Sequence, residues 1–302
     1  MWKNTWSQGL SPTRCNGFMS KLATYFSFVR FSHSVFALPF ALTGALLAWR
    51  TEPFAWSHVL WIIVCMVSAR SAAMGFNRLV DARHDALNPR TAMREIPRGA
   101  MSVTEATIFV LVSSIVFVYS ASRLSTLCLM LSPVALAIVF WYSLAKRYTS
   151  YTQLFLGLAM AIAPVGGWIA AGGTWAAPEP WLLGLAIGLW VGGFDILYAC
   201  QDVEFDRSQG LRSIPTRFGV GRSIVLSRLM HVGAVVAMAA LRQVADLPAM
   251  YLAGVVFVAM LLIYEQSLVS ADDLSQIKKA FDLNGYVGIV YFLATAASLF
   301  LG

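Results

Sequence analysis

Nine apolar stretches divide the chain. They fall at roughly 23–49, 56–80, 104–122, 124–143, 152–172, 181–201, 223–241, 247–268 and 282–301. Each is close to the roughly 20 residues that an α-helix needs to cross the hydrocarbon core of a bilayer. Little more than Arg123 separates the third stretch from the fourth. The pattern predicts an all-α, polytopic membrane protein of nine transmembrane helices.

Composition agrees with that reading. Of 302 residues, 58% are hydrophobic and 12% charged, against about 25% charged in soluble domains. A single domain is expected over residues 1–302, with 1–20 as a polar tail. No apolar core precedes Lys21, so no cleavable signal peptide is expected. Cys15, Cys65, Cys128 and Cys200 are scattered, without metal-type spacing, and no disulfide is expected.

Charge orients the helices. One side collects Lys3, Arg14 and Lys21, then Arg83, Arg90, Arg94 and Arg98, then Lys146 and Arg147. Arg207, Arg212, Arg217 and Arg222, and finally Lys278 and Lys279, join them. The other side holds only Arg50, Arg123 and Arg242. Cytoplasmic loops are enriched in Lys and Arg. The N-terminus is therefore expected in the cytoplasm and the C-terminus outside, most simply in a bacterial inner membrane. The same bias accounts for the net charge of +7 without a nucleic-acid partner.

Some positions speak to packing. Gly184, Gly188 and Gly192 recur every fourth residue, a spacing that lets helices approach closely. Pro39, Pro133 and Pro164 interrupt spanning stretches. A short echo also appears. Arg94-Glu95-Ile96-Pro97-Arg98-Gly99 follows the second helix, and Arg212-Ser213-Ile214-Pro215-Thr216-Arg217-Phe218-Gly219 follows the sixth. Two pseudo-repeated four-helix units, 1–4 and 5–8, with a ninth helix and a central cavity, would explain it.

Each copy of the echo comes after an acid pair. Asp81 and Asp85 end the second helix, and Asp202 and Asp206 end the sixth. An i, i+4 spacing stacks two carboxylates on one helical face, and acids at membrane depth are costly enough to suggest function. Asn77, Asp81 and Asp85 offer three oxygen donors on one stripe, and Asp202 and Asp206 two more. Such a set suits Mg²⁺, which is usually held by one or two carboxylates plus substrate phosphates. No His or Cys argues for zinc or copper. Arg83, Arg90, Arg94, Arg98, Lys146, Arg207, Arg212 and Arg217 surround the acids, a mixture that suits metal-bridged phosphate with direct cationic clamps. Arg83, Arg94, Lys146 and Arg212 are the expected diphosphate contacts.

Deeper in the membrane, Arg70 lies seven residues before Asn77 and Asp195 seven before Asp202. They read either as a structural ion pair or as the acceptor end of a site. Tyr142 and Lys146 place a phenol and an ammonium one turn apart at the end of the fourth helix. His33 reads as a packing histidine at the cytoplasmic end of the first.

At these residues the chain resembles the UbiA superfamily of intramembrane prenyltransferases. The Asn-x-x-x-Asp-x-x-x-Asp motif reads Asn77, Asp81, Asp85; the Asp-x-x-x-Asp motif reads Asp202, Asp206; and Tyr-x-x-x-Lys reads Tyr142, Lys146. His33–Phe40, Asn88–Thr91, Arg94–Pro97 and Phe194–Asp202 resemble the quinone-pathway branch, which prenylates an aromatic ring. The resemblance implies transfer of a polyprenyl group from its diphosphate to an aromatic acid in the bilayer. The acceptor implied is 4-hydroxybenzoate on a ubiquinone route, with dihydroxynaphthoate on a menaquinone route as the alternative. It also implies Mg²⁺ held by Asp81, Asp85, Asp202 and Asp206, and diphosphate held by Arg94 and Lys146. Asp195 would orient or deprotonate the phenol, and Arg70 would meet the acceptor's carboxylate. A cation transporter is the non-enzymatic competitor, but transporters usually place coupling acids near the midplane. Phosphotransfer onto lipid alcohols lacks its usual Asp-Gly-x-x-Ala-Arg opening here.

Overall fold

The computed structural model describes residues 37–301 together with Thr24, Tyr25, Ser27 and Phe28. The N-terminal tail, Cys15, His33 and the start of the first expected span lie outside the described residues. Helix α1 (Leu38–Ala48) covers the later part of that span. The other long helices are α2 (Trp56–Leu87), α3 (Val103–Leu124), α4 (Thr126–Ala145), α5 (Thr152–Ala170) and α6 (Pro178–Ala199). A 3-10 turn (Cys200–Asp202) leads to two short helices, α7 (Val203–Ser208) and α8 (Ile214–Phe218). The chain ends with α9 (Val220–Val244), α10 (Met250–Ser267) and α11 (Ile277–Leu301). No strand occurs among the described residues.

Eight helices among the described residues are long and apolar enough to cross a membrane. The chain is an integral, multi-pass membrane protein. Apolar side chains such as Leu111, Ile115, Leu129 and Val134 face outward, as a lipid-facing surface requires.

The local signals explain the boundaries. Ser102 and Glu105 form a reciprocal cap at the start of α3: Ser102 Oγ accepts from Glu105 N at 3.1 Å, and Glu105 Oε2 accepts from Ser102 N at 2.9 Å. Ser125 alone separates α3 from α4. It ends the first helix and caps the second, its hydroxyl accepting from Cys128 N at 3.0 Å. One residue thus turns the chain where the sequence shows little polarity. Pro133 and Pro164 lie inside α4 and α5, while Pro39 sits in the first turn of α1.

α2 packs mainly on α3, and α6 on α5 and α9. α1 lies against α5, and α11 closes back onto α1. The closest backbone approaches are made by glycine. A Cβ on Gly44 would collide with the Pro164 carbonyl, one on Gly167 with Ala41 O, and one on Gly157 with Gly188 O. The every-fourth-residue glycine stripe contributes Gly188 to one of these crossings. The α1–α5 crossing, through Gly44 and Gly167, carries no such pattern in the sequence. A buried polar chain links three helices: Trp190 Nε1 donates to Asn284 Oδ1 at 2.7 Å, and Asn284 Nδ2 to Glu265 Oε1 at 3.0 Å.

The two Arg-x-Ile-Pro segments close in the same way. Gly99 (φ +75°) and Gly219 (φ +82°) both adopt the left-handed backbone that favours glycine. The first segment remains a series of turns, whereas the second winds into α8.

Candidate active site

Both acid pairs lie at one end of the bundle. Asp81 and Asp85 sit on the last turns of α2, a single helix that runs without a break through Arg70 and Asn77. Asp81 is 2% exposed. Its Oδ2 accepts from Lys146 Nζ at 2.5 Å, and its Oδ1 from Arg147 Nη2 at 3.3 Å. Arg147 also donates to the Val80 carbonyl. Asn77 Nδ2 stands 3.4 Å from Asp81 Oδ2. Asp85 takes both its bonds from Arg94 Nη1, at 2.8 and 2.7 Å.

The second pair is built differently from the sequence expectation. α6 ends at Ala199, and Asp202 closes the 3-10 turn that follows. A 3-10 turn holds three residues rather than 3.6, so Asp202 is out of register with Asp195. Asp206 lies on α7, which starts afresh after Asp202. Asp202 is held from the opposite half of the molecule. Arg90 forks onto it, Nε to Oδ1 at 3.1 Å and Nη2 to Oδ2 at 2.5 Å. Arg90 Nη1 also donates to the Tyr198 hydroxyl at 2.9 Å, and its guanidinium stands 5.3 Å from the Tyr198 ring centre. Partial burial is the largest single influence on Arg90 and opposes its charge. Tyr198 and Asp202 together outweigh it and hold the guanidinium above its usual pKa. Asp206 is within electrostatic reach of Asp202, Lys146, Arg90 and Asp81. The two halves therefore face one another.

A buried ion pair fixes the loop that joins them. Arg78 Nη1 donates to Glu95 Oε2 at 2.5 Å, with both side chains 5% exposed. Glu95 Oε1 accepts from the Ser27 hydroxyl at 2.5 Å. Burial is the largest influence on the Glu95 carboxyl and would raise it. Ser27, the backbone amide and the charges of Arg78 and Arg98 outweigh burial and hold it below the usual carboxylate value. Arg90 and Arg94, on the same loop, are thereby presented to Asp202 and Asp85.

Not every expected contact is made. Arg83 is exposed, and at two residues from Asp81 and from Asp85 it lies on another face of α2. Arg212 supports the site from behind: its amide donates to Lys146 O at 2.8 Å and its Nη1 to Tyr148 O at 2.7 Å. Arg90 was expected among the cations around the acids but not as a partner of Asp202, and Arg147, Tyr198 and the Arg78–Glu95 pair were given no role in the site from the sequence. One signal was available, since an arginine inside a spanning helix needs a buried partner, and Glu95 is an acid set among arginines.

Toward the membrane interior, Tyr142 on α4 is within electrostatic reach of Arg70 on α2, Asp195 on α6 and Asp81. Arg70, Tyr142 and Asp195 are half-buried residues, and α2 and α6 pack little on each other. They lie on three helices, below the aspartates.

The donors at the charged end are hard carboxylate oxygens, the chemistry that suits Mg²⁺. Among the described residues, no three His, Cys, Asp or Glu side chains are gathered closely enough to share an ion. Asp81, Asp85 and Asp202 are each matched to a cation. The residues fit a hard divalent ion in donor type.

Comparison with known proteins gives the same picture. The chain is 32% identical over 249 residues to a 4-hydroxybenzoate octaprenyltransferase of Escherichia fergusonii, covering 79% of this chain and 83% of that protein. It is 30% identical over 294 residues to the enzyme of that name from Salmonella paratyphi C, covering 92% and 96%. Its fold matches the apo structure of a UbiA homolog from Aeropyrum pernix, with TM-score 0.81, 35% identity and coverage of 88% of this chain and 98% of the other. A UbiA homolog from Archaeoglobus fulgidus, solved with GPP and Mg²⁺, shares the fold at TM-score 0.72 and 18% identity, over 90% and 99% of the two chains. Residues 37–295, from α1 into α11 and so including both aspartate motifs, match the UbiA prenyltransferase family, and the chain is a prenyltransferase belonging to that family.

Proposed function

We propose that this chain transfers a polyprenyl group from its diphosphate to a ring carbon of 4-hydroxybenzoate, a step toward ubiquinone, using Mg²⁺. One observation carries the reading: carboxylates and cations from both halves meet at one end of the bundle, directly above Arg70, Tyr142 and Asp195. The names of the curated relatives favour 4-hydroxybenzoate over a dihydroxynaphthoate. The cationic loops favour a cytoplasmic site and N-terminus, in a bacterial inner membrane.

In this reading Asp81, Asp85, Asp202 and Asp206, with Asn77 beside them, hold the metal, which when bound neutralises charge on the diphosphate. Lys146 and Arg94 donate to the diphosphate as the allylic C–O bond breaks and its electron pair leaves with oxygen. Tyr142 stands between the departing group and the acceptor. Arg70 pairs with the acceptor's carboxylate, and Asp195 holds the phenol proton. The phenol activates its ring, and with the para carbon carrying the carboxyl group the ortho carbon attacks the allylic cation. The proton on that carbon is then released. Walls from which water is excluded protect the cation.

The test is direct. Purified protein with Mg²⁺ and geranyl diphosphate is offered 4-hydroxybenzoate, dihydroxynaphthoates and homogentisate, with products weighed by mass spectrometry. Prenylated 4-hydroxybenzoate and free diphosphate are expected. A prenylated product from none of the acceptors would sink the reading.

A further inference from the structure

Arg90 differs from the other cations at the site. Arg94 holds Asp85, and Lys146 and Arg147 from the end of α4 hold Asp81, so these three serve the acids at the end of α2. Arg90 leaves that half and crosses to Asp202, on the segment after α6. The backbone beneath it is fixed, with Arg90 N donating to Asn88 Oδ1 at 2.9 Å and Thr91 Oγ1 donating to Asp85 O at 3.2 Å. The side chain is 36% exposed, against 18% for its Asp202 partner, so it can swing away without disturbing the core. A planar fork that fits a carboxylate on two bonds fits a phosphate equally well.

We propose that Arg90 is a placeholder cation. Its guanidinium forks onto Asp202, a carboxylate that would hold the metal, and it moves onto the diphosphate when metal and diphosphate arrive together. The idea rests on the functional reading above and adds a residue and a binding order to it.

Charge is the reason. With Asp81, Asp85 and Asp202 each already matched to a cation, a divalent ion arriving alone finds its carboxylate neutralised. For it to bind, Arg90 must leave with nowhere to go. A diphosphate arriving alone draws Arg90 off and strands Asp202 beside Asp206, within reach of Asp81. When both arrive, every charge finds a partner: metal on the aspartates and guanidinium on the phosphate oxygens. Each ligand then strengthens the other, and the strengthening must be equal in both directions.

The experiment uses the full chain in detergent, Mn²⁺ as the metal probe read by electron paramagnetic resonance, and geranyl S-thiolodiphosphate as an unreactive diphosphate. The wild type is expected to bind Mn²⁺ weakly alone and about 5- to 150-fold more tightly with the analogue, the usual range for coupled sites. Arg90→Gln is expected to bind Mn²⁺ alone more tightly than the wild type and to lose most of the gain from the analogue. Tyr198→Phe, which removes the hydroxyl that steadies Arg90, should shift both quantities the same way by less. It also serves as the readout if Arg90→Gln does not fold. Unchanged or weaker Mn²⁺ binding by these variants, with normal coupling in the wild type, overturns the placeholder and leaves the functional reading standing. A wild type that never binds metal and analogue together overturns both.

Discussion

Asp81 and Asp85 ride on an unbroken helix of 32 residues, are buried, and are gripped by Arg94 just beyond that helix and by Lys146 and Arg147 at the end of α4. Asp202 and Asp206 straddle a helix end, keep more exposure, and depend on an arginine from the other half of the molecule. The two motifs share a four-residue spacing and little of their construction. A continuous helix presents its donors in a fixed register, whereas the 3-10 turn at Cys200–Asp202 interrupts that register. The difference suggests a rigid half of the site, set in advance, and a responsive half that is completed by the substrate.

The sharpest way to break that contrast is to neutralise one acid on each side. Asp81→Asn should cost the most, about a thousandfold in kcat, the loss typical of a preorganised charge in the transition state. It also leaves Lys146 and Arg147 without their carboxylate. Asp202→Asn should cost about tenfold less, because Arg90 already competes for that carboxylate. Steady-state kinetics with saturating prenyl diphosphate would show it. Equal losses would mean that both halves are equally preset.

The next effect concerns the joint between the halves. Arg78→Met breaks an ion pair that is almost sealed from solvent, and the uncompensated Glu95 charge should cost about 3–5 kcal/mol. A lower unfolding temperature in detergent, with loss of the Arg94 and Arg90 contacts, is expected. Replacing both residues with apolar ones should recover much of the stability. The folded Glu95 carboxyl titrates below its ordinary value. Its contribution is therefore present above that ordinary value and fades as the pH falls through the lowered one.

This joint also shows where the sequence was legible and where it was not. Helix ends and motif positions follow from local chemistry, so the expected spans at 56–80, 104–122, 124–143 and 152–172 lie within about three residues of the helices except at one end. α2 runs on to Leu87 because the polar motif is itself helical. Asn77, Asp81, Asp85, Tyr142 and Lys146 were legible because they stack on helices of regular pitch. Arg90 reaching Asp202 across 112 positions, and Arg78 finding Glu95, were not. Those pairings depend on how a loop folds back, and loop paths carry no periodicity. The broken register at Cys200–Asp202 escaped for a related reason: a continuous apolar run gives no sign of a tightened turn.

The smallest expected effects lie at the acceptor end, and they sharpen the comparison by separating it from both acid pairs. Arg70 and Asp195 reach Tyr142 from the two motif helices, yet neither touches the diphosphate in the proposed reaction. Arg70→Ala should raise the KM for the aromatic acid about tenfold, the loss of one hydrogen bond to a charged group, and leave the KM for the prenyl diphosphate unchanged. Asp195→Asn keeps the shape but cannot take a proton. It should lower kcat with little change in either KM and should flatten the pH profile of kcat/KM. Kinetics with each substrate varied in turn would read both. A raised KM for the prenyl diphosphate in either variant would place Arg70 or Asp195 in the charged half of the site, and the division between a diphosphate end and an acceptor end would fall.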